Sequence, residues 1–104
     1  MTCRVFANAN PASKHRYPYV MELQHAHMSA LQTRLVAPVV EVGRAWAVNI
    51  NGLTPAIRIE GNPCRVVIPM MASVPLAALG AEVSDVRLDR VEIRAAVDRL
   101  MTGF

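Results

Sequence analysis

Two histidines one residue apart are the first candidates for chemistry in this chain. In His25-Ala26-His27 the two imidazoles would lie on the same face of a strand, because side chains alternate along an extended backbone. Such a pair supplies half of a metal site, since zinc sites use three or four protein ligands. No third ligand of matching character stands nearby in the sequence, and the segment is equally well explained as a polar strand end. We therefore expect no bound metal.

Nucleophiles and acid–base pairs are equally scarce. Ser29 and Ser73 have no evident base, and Cys64, which precedes Arg65, has no partner that would activate its thiol. The five glycines form no phosphate-binding loop. Acids at a predicted helix start are favoured there by the helix dipole and need no catalytic role: Asp85, Asp89 and Glu92. The residues favour a binding protein over an enzyme, and we expect no cofactor.

The elements that position these residues are short strands followed by one helix. Strand-forming patterns predict five strands: residues 3–7, 17–23, 33–40, 56–60 and 64–68. Pro18 places the second strand at an edge or at a strand start. Gly61-Asn62-Pro63 is predicted as a hairpin turn, residues 8–14 as a loop, and residues 41–53 as an irregular connection or a short helix.

The last part of the chain is predicted to be an amphipathic helix that begins near Arg87. Its apolar face has helical spacing: Ile93, Val97, Leu100 and Met101. Ser84 or Asp85 is expected to cap its start, and Gly103 to end it. A second flank is expected to be a solvated face: Asp89, Arg90, Arg94 and Asp98. Strands followed by a terminal helix indicate the α+β class, as a small barrel or partly open sheet.

Length and composition set the remaining limits. With 104 residues the chain is expected to form one domain over residues 1–104. Its hydrophobic share is 53% and its charged share 18%, an apolar excess that favours a permanent partner, most simply a second copy. The net charge of +3 comes from scattered bases, and aromatic residues are only 5%, so we expect no direct nucleic-acid binding.

Neither a secretory signal nor a membrane span is expected. The apolar stretches 35–40 and 66–72 each contain a proline and are far shorter than the roughly 18 residues that a span needs. The first six residues lead directly into a polar stretch. We therefore expect a cytoplasmic protein whose two cysteines, Cys3 and Cys64, are reduced and buried.

Several blocks of the sequence resemble the CcdB family of toxin–antitoxin toxins. The most specific is Met71-Ala72-Ser73-Val74-Pro75, followed by Leu79-Gly80 and Glu82-Val83. Residues 17–23, 34–38 and 53–59 are similar to family strands in the same order and spacing, and the helix ending in Gly103-Phe104 also matches. The resemblance covers nearly the whole chain, with extra residues placed in the loop 8–16.

This resemblance implies both a fold and a function. It implies an SH3-like β-barrel of the type shared by CcdB and MazF, an antiparallel sheet with a C-terminal helix. It also implies a homodimer that binds the A subunit of DNA gyrase and traps the cleaved DNA–enzyme complex. A CcdA-like antitoxin would neutralise the toxin and, together with it, repress the operon, so DNA would be contacted only through the antitoxin.

The resemblance further implies a gyrase-binding site at the chain end. The family's last three residues, typically an aromatic residue, a glycine and an aliphatic residue, correspond to Thr102, Gly103 and Phe104, preceded by Met101. Thr102 therefore replaces a tryptophan. Other positions beside this tip also differ from the family: His27 and Met28 replace aliphatic residues, and Asp98 replaces an amide.

Alternatives remain for these residues and for the protein. Leu100, Met101 and Phe104 are equally well explained as packing at a dimer interface, Met28 as core filling and His27 as a solvent-facing loop residue. The departure at Thr102 also allows a toxin-fold protein that has lost poisoning and acts as an antitoxin-binding co-repressor. A ribonuclease of the MazF kind is a more distant third, because no acid–base pair is evident.

Overall fold

The computed structural model describes residues 3–23, 32–85 and 90–103. These residues form seven strands, two short 3-10 helices and an α-helix. The strands are β1 (Arg4–Asn8), β2 (Tyr19–Glu22), β3 (Thr33–Glu41), β4 (Ala56–Ile59), β5 (Asn62–Val66), β6 (Ala72–Pro75) and β7 (Leu79–Asp85). The 3-10 helices span Ile68–Met70 and Leu76–Ala78, and the helix α1 spans Arg90–Thr102.

The strands form one antiparallel sheet in the order β4-β5-β3-β2-β1-β7. The long strand β3 organises it, because one of its edges pairs with β2 while the other pairs with β5 near Val39 and with β6 near Leu35. The expected fold class, α+β and mainly β with an antiparallel sheet and a C-terminal helix, is confirmed.

Alternation along the strands separates two apolar clusters. Val5 and Met21 belong to the main core, whereas their chain neighbours Phe6 and Val20 belong to a smaller cluster with Val36. The two sets point to opposite faces of the sheet because side chains alternate along each strand. The helix covers the first face, and residues of β6 and β7 pack against the second.

The predicted strands are found, with ends shifted by one or two residues. Pro18 directly precedes β2, where its missing N–H costs no ladder hydrogen bond, and its carbonyl accepts from the Asn8 N–H at 3.0 Å. The loop after β1 is built from asparagine turns, in which Asn8 Oδ1 accepts from the Asn10 N–H and Asn10 Oδ1 from the Ala12 N–H. Residues 42–55 form an irregular connection, one of the two predicted alternatives.

The predicted hairpin turn was misplaced by one residue. Asn62 pairs with Ile59 across the hairpin, so it already belongs to β5 and the turn consists of Glu60 and Gly61. Both turn residues have positive φ, 52° and 83°, as a two-residue hairpin turn of type I′ requires. The sequence prediction failed because it counted Asn and Pro as turn formers, although Pro63 lies in a strand that tolerates it.

Strands β6 and β7 were not predicted as strands, and two residues predicted to cap the helix belong to β7. Strand β7 contains Gly80, Ala81 and Ser84, which have little intrinsic preference for strands, and it forms through its pairing with β1. Gly80 permits this pairing, since a Cβ there would lie 3.0 Å from the Ala7 carbonyl oxygen. Ser84 and Asp85, the predicted caps, pair with Val5 and Arg4 as the last residues of β7, and the segment between β7 and α1 lies outside the described residues.

The cysteines and the helix flanks partly follow expectation. Cys3 and Cys64 are both fully buried. Arg94 and Asp98 are exposed as predicted, whereas Arg90 is half-buried and its Nε has no hydrogen-bond partner among the described residues. Asp89 lies outside the described residues. Over the described ranges, no helix is both long and apolar enough to cross a membrane.

Candidate functional site

The C-terminal end of α1 is the candidate site that the structure describes best. The helix is fixed to the sheet through Ile93 and Ala96, which are buried, and through Val97 and Leu100, which pack against the same core. These positions have helical spacing and place the helix on the main core. Beyond Leu100 the last turn extends into solvent, because Met101, Thr102 and Gly103 are all exposed.

Met101 corrects one part of the sequence prediction. It was predicted on the apolar core face, but its side chain is 71% exposed. On a helical wheel it lies at the edge of a face that also contains Val91, Arg94, Asp98 and Thr102 and that points away from the buried Ile93 and Ala96. Val91 is 76% exposed. We call these five residues the outer face of α1. Its two large apolar side chains, Val91 and Met101, are both exposed.

Hydrogen bonds define the shape of the last turn. The Gly103 N–H donates to the Arg99 carbonyl oxygen at 2.7 Å, and Gly103 has a φ of 83°, so it ends the helix in the left-handed conformation that glycine adopts readily. The Thr102 hydroxyl donates to the Asp98 carbonyl oxygen at 2.7 Å. Thr102 thus uses its only polar hydrogen within the helix and presents its methyl group to solvent.

The loop that contains Gly52, on the other side of the helix, is hydrogen-bonded to the last turn of α1. The Arg99 guanidinium donates through Nη1 to the Gly52 carbonyl oxygen at 2.5 Å. This long-range bond fixes the helix end relative to the irregular connection after β3. The last turn of α1 is therefore anchored both by the core contacts of Val97 and Leu100 and by Arg99.

The predicted site residues are only partly brought together in the described ranges. Asp98, Met101, Thr102 and Gly103 lie within the last two turns of α1 and at its end. His27, Met28 and Phe104 lie outside the described residues, as does His25. No group of three His, Cys, Asp or Glu residues suitable for a metal is found within the described ranges.

Sequence reasoning missed a buried ion pair beside the segment that contains His27 and Met28. Arg34 Nε lies 3.2 Å from Glu22 Oε2, and both side chains are at least nine-tenths buried. Arg4 lies 3.9 Å from Glu22 and 3.1 Å from Glu82. The sequence offered one signal for this ion pair: Glu22 lies at the end of one predicted strand and the oppositely charged Arg34 at the start of the next. The pair joins the two strands that flank residues 24–31.

Fold and site together define a small, mainly β protein whose C-terminal helix ends in exposed residues. The family model described as CcdB protein matches residues 3–103. No curated protein matches the chain.

The chain belongs to the CcdB family. It is therefore a toxin of a toxin–antitoxin system, as the blocks around Met71–Val83 predicted.

Proposed function

We propose that this protein binds the A subunit of DNA gyrase and traps the gyrase–DNA cleavage complex. Gyrase itself cuts the DNA, so the toxin needs only to bind the cleaved state more tightly than the other states. It would act as an inhibitor and not as an enzyme. The observation that supports this most is the exposed, hydrogen-bonded end of α1 in a chain of this family.

The proposed gyrase-binding residues surround that end. Met101 supplies exposed apolar area, Gly103 directs the chain out of the helix, and Asp98 lies one turn before Thr102 on the same face. Phe104, His27 and Met28 complete the proposed site by their correspondence to the family's tip. Two copies in a homodimer would present two such tips, and a CcdA-like antitoxin would neutralise them in the cytoplasm.

Thr102 supports a second candidate function. Where the family has a tryptophan, this chain has a small side chain whose hydroxyl is already bonded to the Asp98 carbonyl. Tryptophan is a frequent hot spot of protein interfaces and threonine is not. A CcdB-fold protein with weakened poisoning, acting with the antitoxin as a co-repressor, is therefore the alternative.

A killing assay separates the two functions. The chain is expressed without antitoxin in a gyrase-sensitive bacterium, while purified protein is tested for capture of the gyrase A subunit. Poisoning predicts growth arrest with a DNA-damage response, and removal of residues 102–104 should abolish both activities. Circular dichroism should show an unchanged fold, because the removed residues follow the last core contact of α1 at Leu100.

Two further variants test the proposed gyrase-binding site more specifically. Thr102→Trp should maintain or increase gyrase capture, by about 1–2 kcal/mol if the ring enters a pocket. Val42→Ala is a matched control, because Val42 is an exposed aliphatic residue outside α1. A truncated chain that remains folded and still kills would contradict the proposed site. A wild-type chain that captures antitoxin but not gyrase would favour the co-repressor, and RNA cleavage would favour a ribonuclease.

A further inference from the structure

A polar cleft lies between residues 49–55 and one flank of α1. Its volume is about 540 Å³. Most of its lining is polar or charged: Asn49, Asn51, Thr54, Arg65, Glu92 and Arg99. Among the described residues, none of those proposed to bind gyrase lines it, so the proposed function leaves the cleft unexplained.

Two arginines of this cleft are anchored to the same loop. Arg99 donates through Nη1 to the Gly52 carbonyl oxygen at 2.5 Å, and Arg65 donates through Nη1 to the Thr54 carbonyl oxygen at 2.9 Å. Gly52 and Thr54 are two residues apart, so their Cα atoms are separated by no more than about 7.6 Å. The two guanidinium groups are therefore held near each other. Because both side chains are already hydrogen-bonded, binding a ligand would cost little of their conformational entropy.

Both guanidinium groups retain hydrogen-bond donors. An arginine side chain has five N–H donors, and one bond to a carbonyl leaves most of them free for a ligand. Within residues 3–23, 32–85 and 90–103, neither Arg65 nor Arg99 forms an ion pair. Glu92 lines the same cleft but approaches neither arginine closely enough to pair with it. Two positive charges against one negative charge leave the cleft electropositive.

The loop is shaped to receive Arg99. Gly52 has a φ of +79°, and a Cβ built there would lie 2.5 Å from Arg99 Nη1 and 2.9 Å from its Cζ. No side chain fits at this point without displacing the guanidinium. The arginine position is thus determined by the backbone of the loop, unlike that of an ordinary surface arginine.

We propose that this cleft binds an oxyanion group, a carboxylate or a phosphate, between Arg65 and Arg99. Planar guanidinium groups match the oxygen pairs of both anions and bind them with charge-assisted hydrogen bonds. The side-chain amides of Asn49 and Asn51 supply further donors at the same cleft. The anion has two sources, a free small anion or an acidic side chain of a bound protein segment.

Titrations followed by NMR test the proposal on the whole protein at constant ionic strength. The probes are inorganic phosphate and an acetylated tetraglutamate peptide, with a tetraglutamine peptide as the neutral control. We expect saturable shifts confined to residues 49–55 and the last turns of α1. Arg65→Gln and Arg99→Gln should each raise the dissociation constant of the probe by about tenfold. A hydrogen bond to a charged group contributes a free energy that corresponds to about this change in affinity.

Arg58→Gln is the matched control. Arg58 also donates to a backbone carbonyl, that of Gly61 at 3.0 Å, but it is exposed and does not line the cleft. Saturation by phosphate alone identifies a free anion, and tighter binding of tetraglutamate identifies an acidic segment. The proposal is overturned if neither probe saturates, or if Arg58→Gln weakens binding as much as Arg65→Gln does.

The outcome of this titration can be separated from a loss of folding and from a loss of gyrase binding. Arg65 belongs to β5, so Arg65→Gln leaves the contact between Arg99 and Gly52 in place, and thermal melts verify that each variant is folded. The titration contains no gyrase, so its outcome is independent of the proposed poisoning activity.

Discussion

At the scale of single residues, burial raises the pKa of two side chains in the described part of the chain. Burial raises the pKa of the Cys64 thiol above its ordinary 9.0, with a smaller contribution from Glu41. Burial also raises the pKa of Tyr19 above 10.0, and the nearby Glu60, Cys64 and Glu41 add to it. Both groups are acids held in their neutral form, so the folded state keeps their protons to higher pH than the unfolded chain does.

This shift predicts a loss of stability in alkaline solution. Because the folded-state pKa values are raised, their contribution is fully present below pH 9 and is lost as pH rises through the folded values. The free energy of unfolding should therefore fall as the pH rises above about 9. Urea unfolding at several pH values measures this decrease in the free energy of unfolding.

The Cys64→Ala variant provides the control for this prediction. It removes one of the two titrating groups, so its free energy of unfolding should decline less steeply with pH, whatever its starting value. Equal slopes for the variant and the wild type would show that Cys64 does not contribute.

Two glycines with the same backbone angle predict different costs of substitution. Gly52 and Gly61 have φ of +79° and +83°, so alanine strains the backbone at both by about 1 kcal/mol. Only at Gly52 does the new Cβ collide with Arg99, whereas nothing lies within 4 Å at Gly61. Since the far end of Arg99 can move aside, the extra cost is mainly its hydrogen bond to the Gly52 carbonyl, and Gly52→Ala should lower the free energy of unfolding by about 1 kcal/mol more than Gly61→Ala does.

Chemical denaturation of both variants measures the difference directly. Similar losses would mean that Arg99 moves aside freely, and the anchor between α1 and the loop would then contribute little to stability.

At the scale of elements, the strands with strong alternation were predictable and those formed by pairing were not. Residues 33–40 contain enough branched apolar residues to predict β3. Strand β7 and its Gly80 depend on β1, which lies far away in the sequence, and no local pattern shows such a partner. The candidate site was likewise predictable only in part. Gly103 as a helix end was predictable, whereas the exposure of Met101 depends on how α1 is rotated against the sheet.

The two sides of α1 predict opposite results for truncation to alanine. Ile93 is fully buried in the main core, so Ile93→Ala should lower the free energy of unfolding by about 2–5 kcal/mol. Met101 is 71% exposed, so Met101→Ala should change it by less than about 0.5 kcal/mol while it weakens partner binding. Urea unfolding at a protein concentration that keeps the association state constant compares them.

A large loss of stability for Met101→Ala would contradict the proposed role of Met101 as a free contact residue. It would favour the alternative in which Met101 packs at a dimer interface.

At the scale of the whole molecule, apolar surface and the small charged share favour association. Among the described residues, Val91 and Met101 are the most exposed large apolar side chains, and both belong to the outer face of α1. A two-fold axis near the C-terminal helices would pair the Val91 part of this face with its copy and leave Met101 accessible beside the axis, since a two-fold interface uses the same patch on both subunits. The two tips would then lie close to each other, as binding to a symmetric target requires.

Sedimentation should therefore report about twice 11.4 kDa at micromolar concentration. Val91→Glu places a charge on the outer face of α1 and should shift the protein toward the monomer, because paired copies would bury like charges against each other. Val42→Glu is the matched control, since Val42 is 49% exposed in a loop outside the helix, and it should leave the dimer intact. A wild-type protein that sediments as a monomer would remove the paired tips. Dissociation by Val42→Glu alone would instead place the interface at the loop after β3, away from α1.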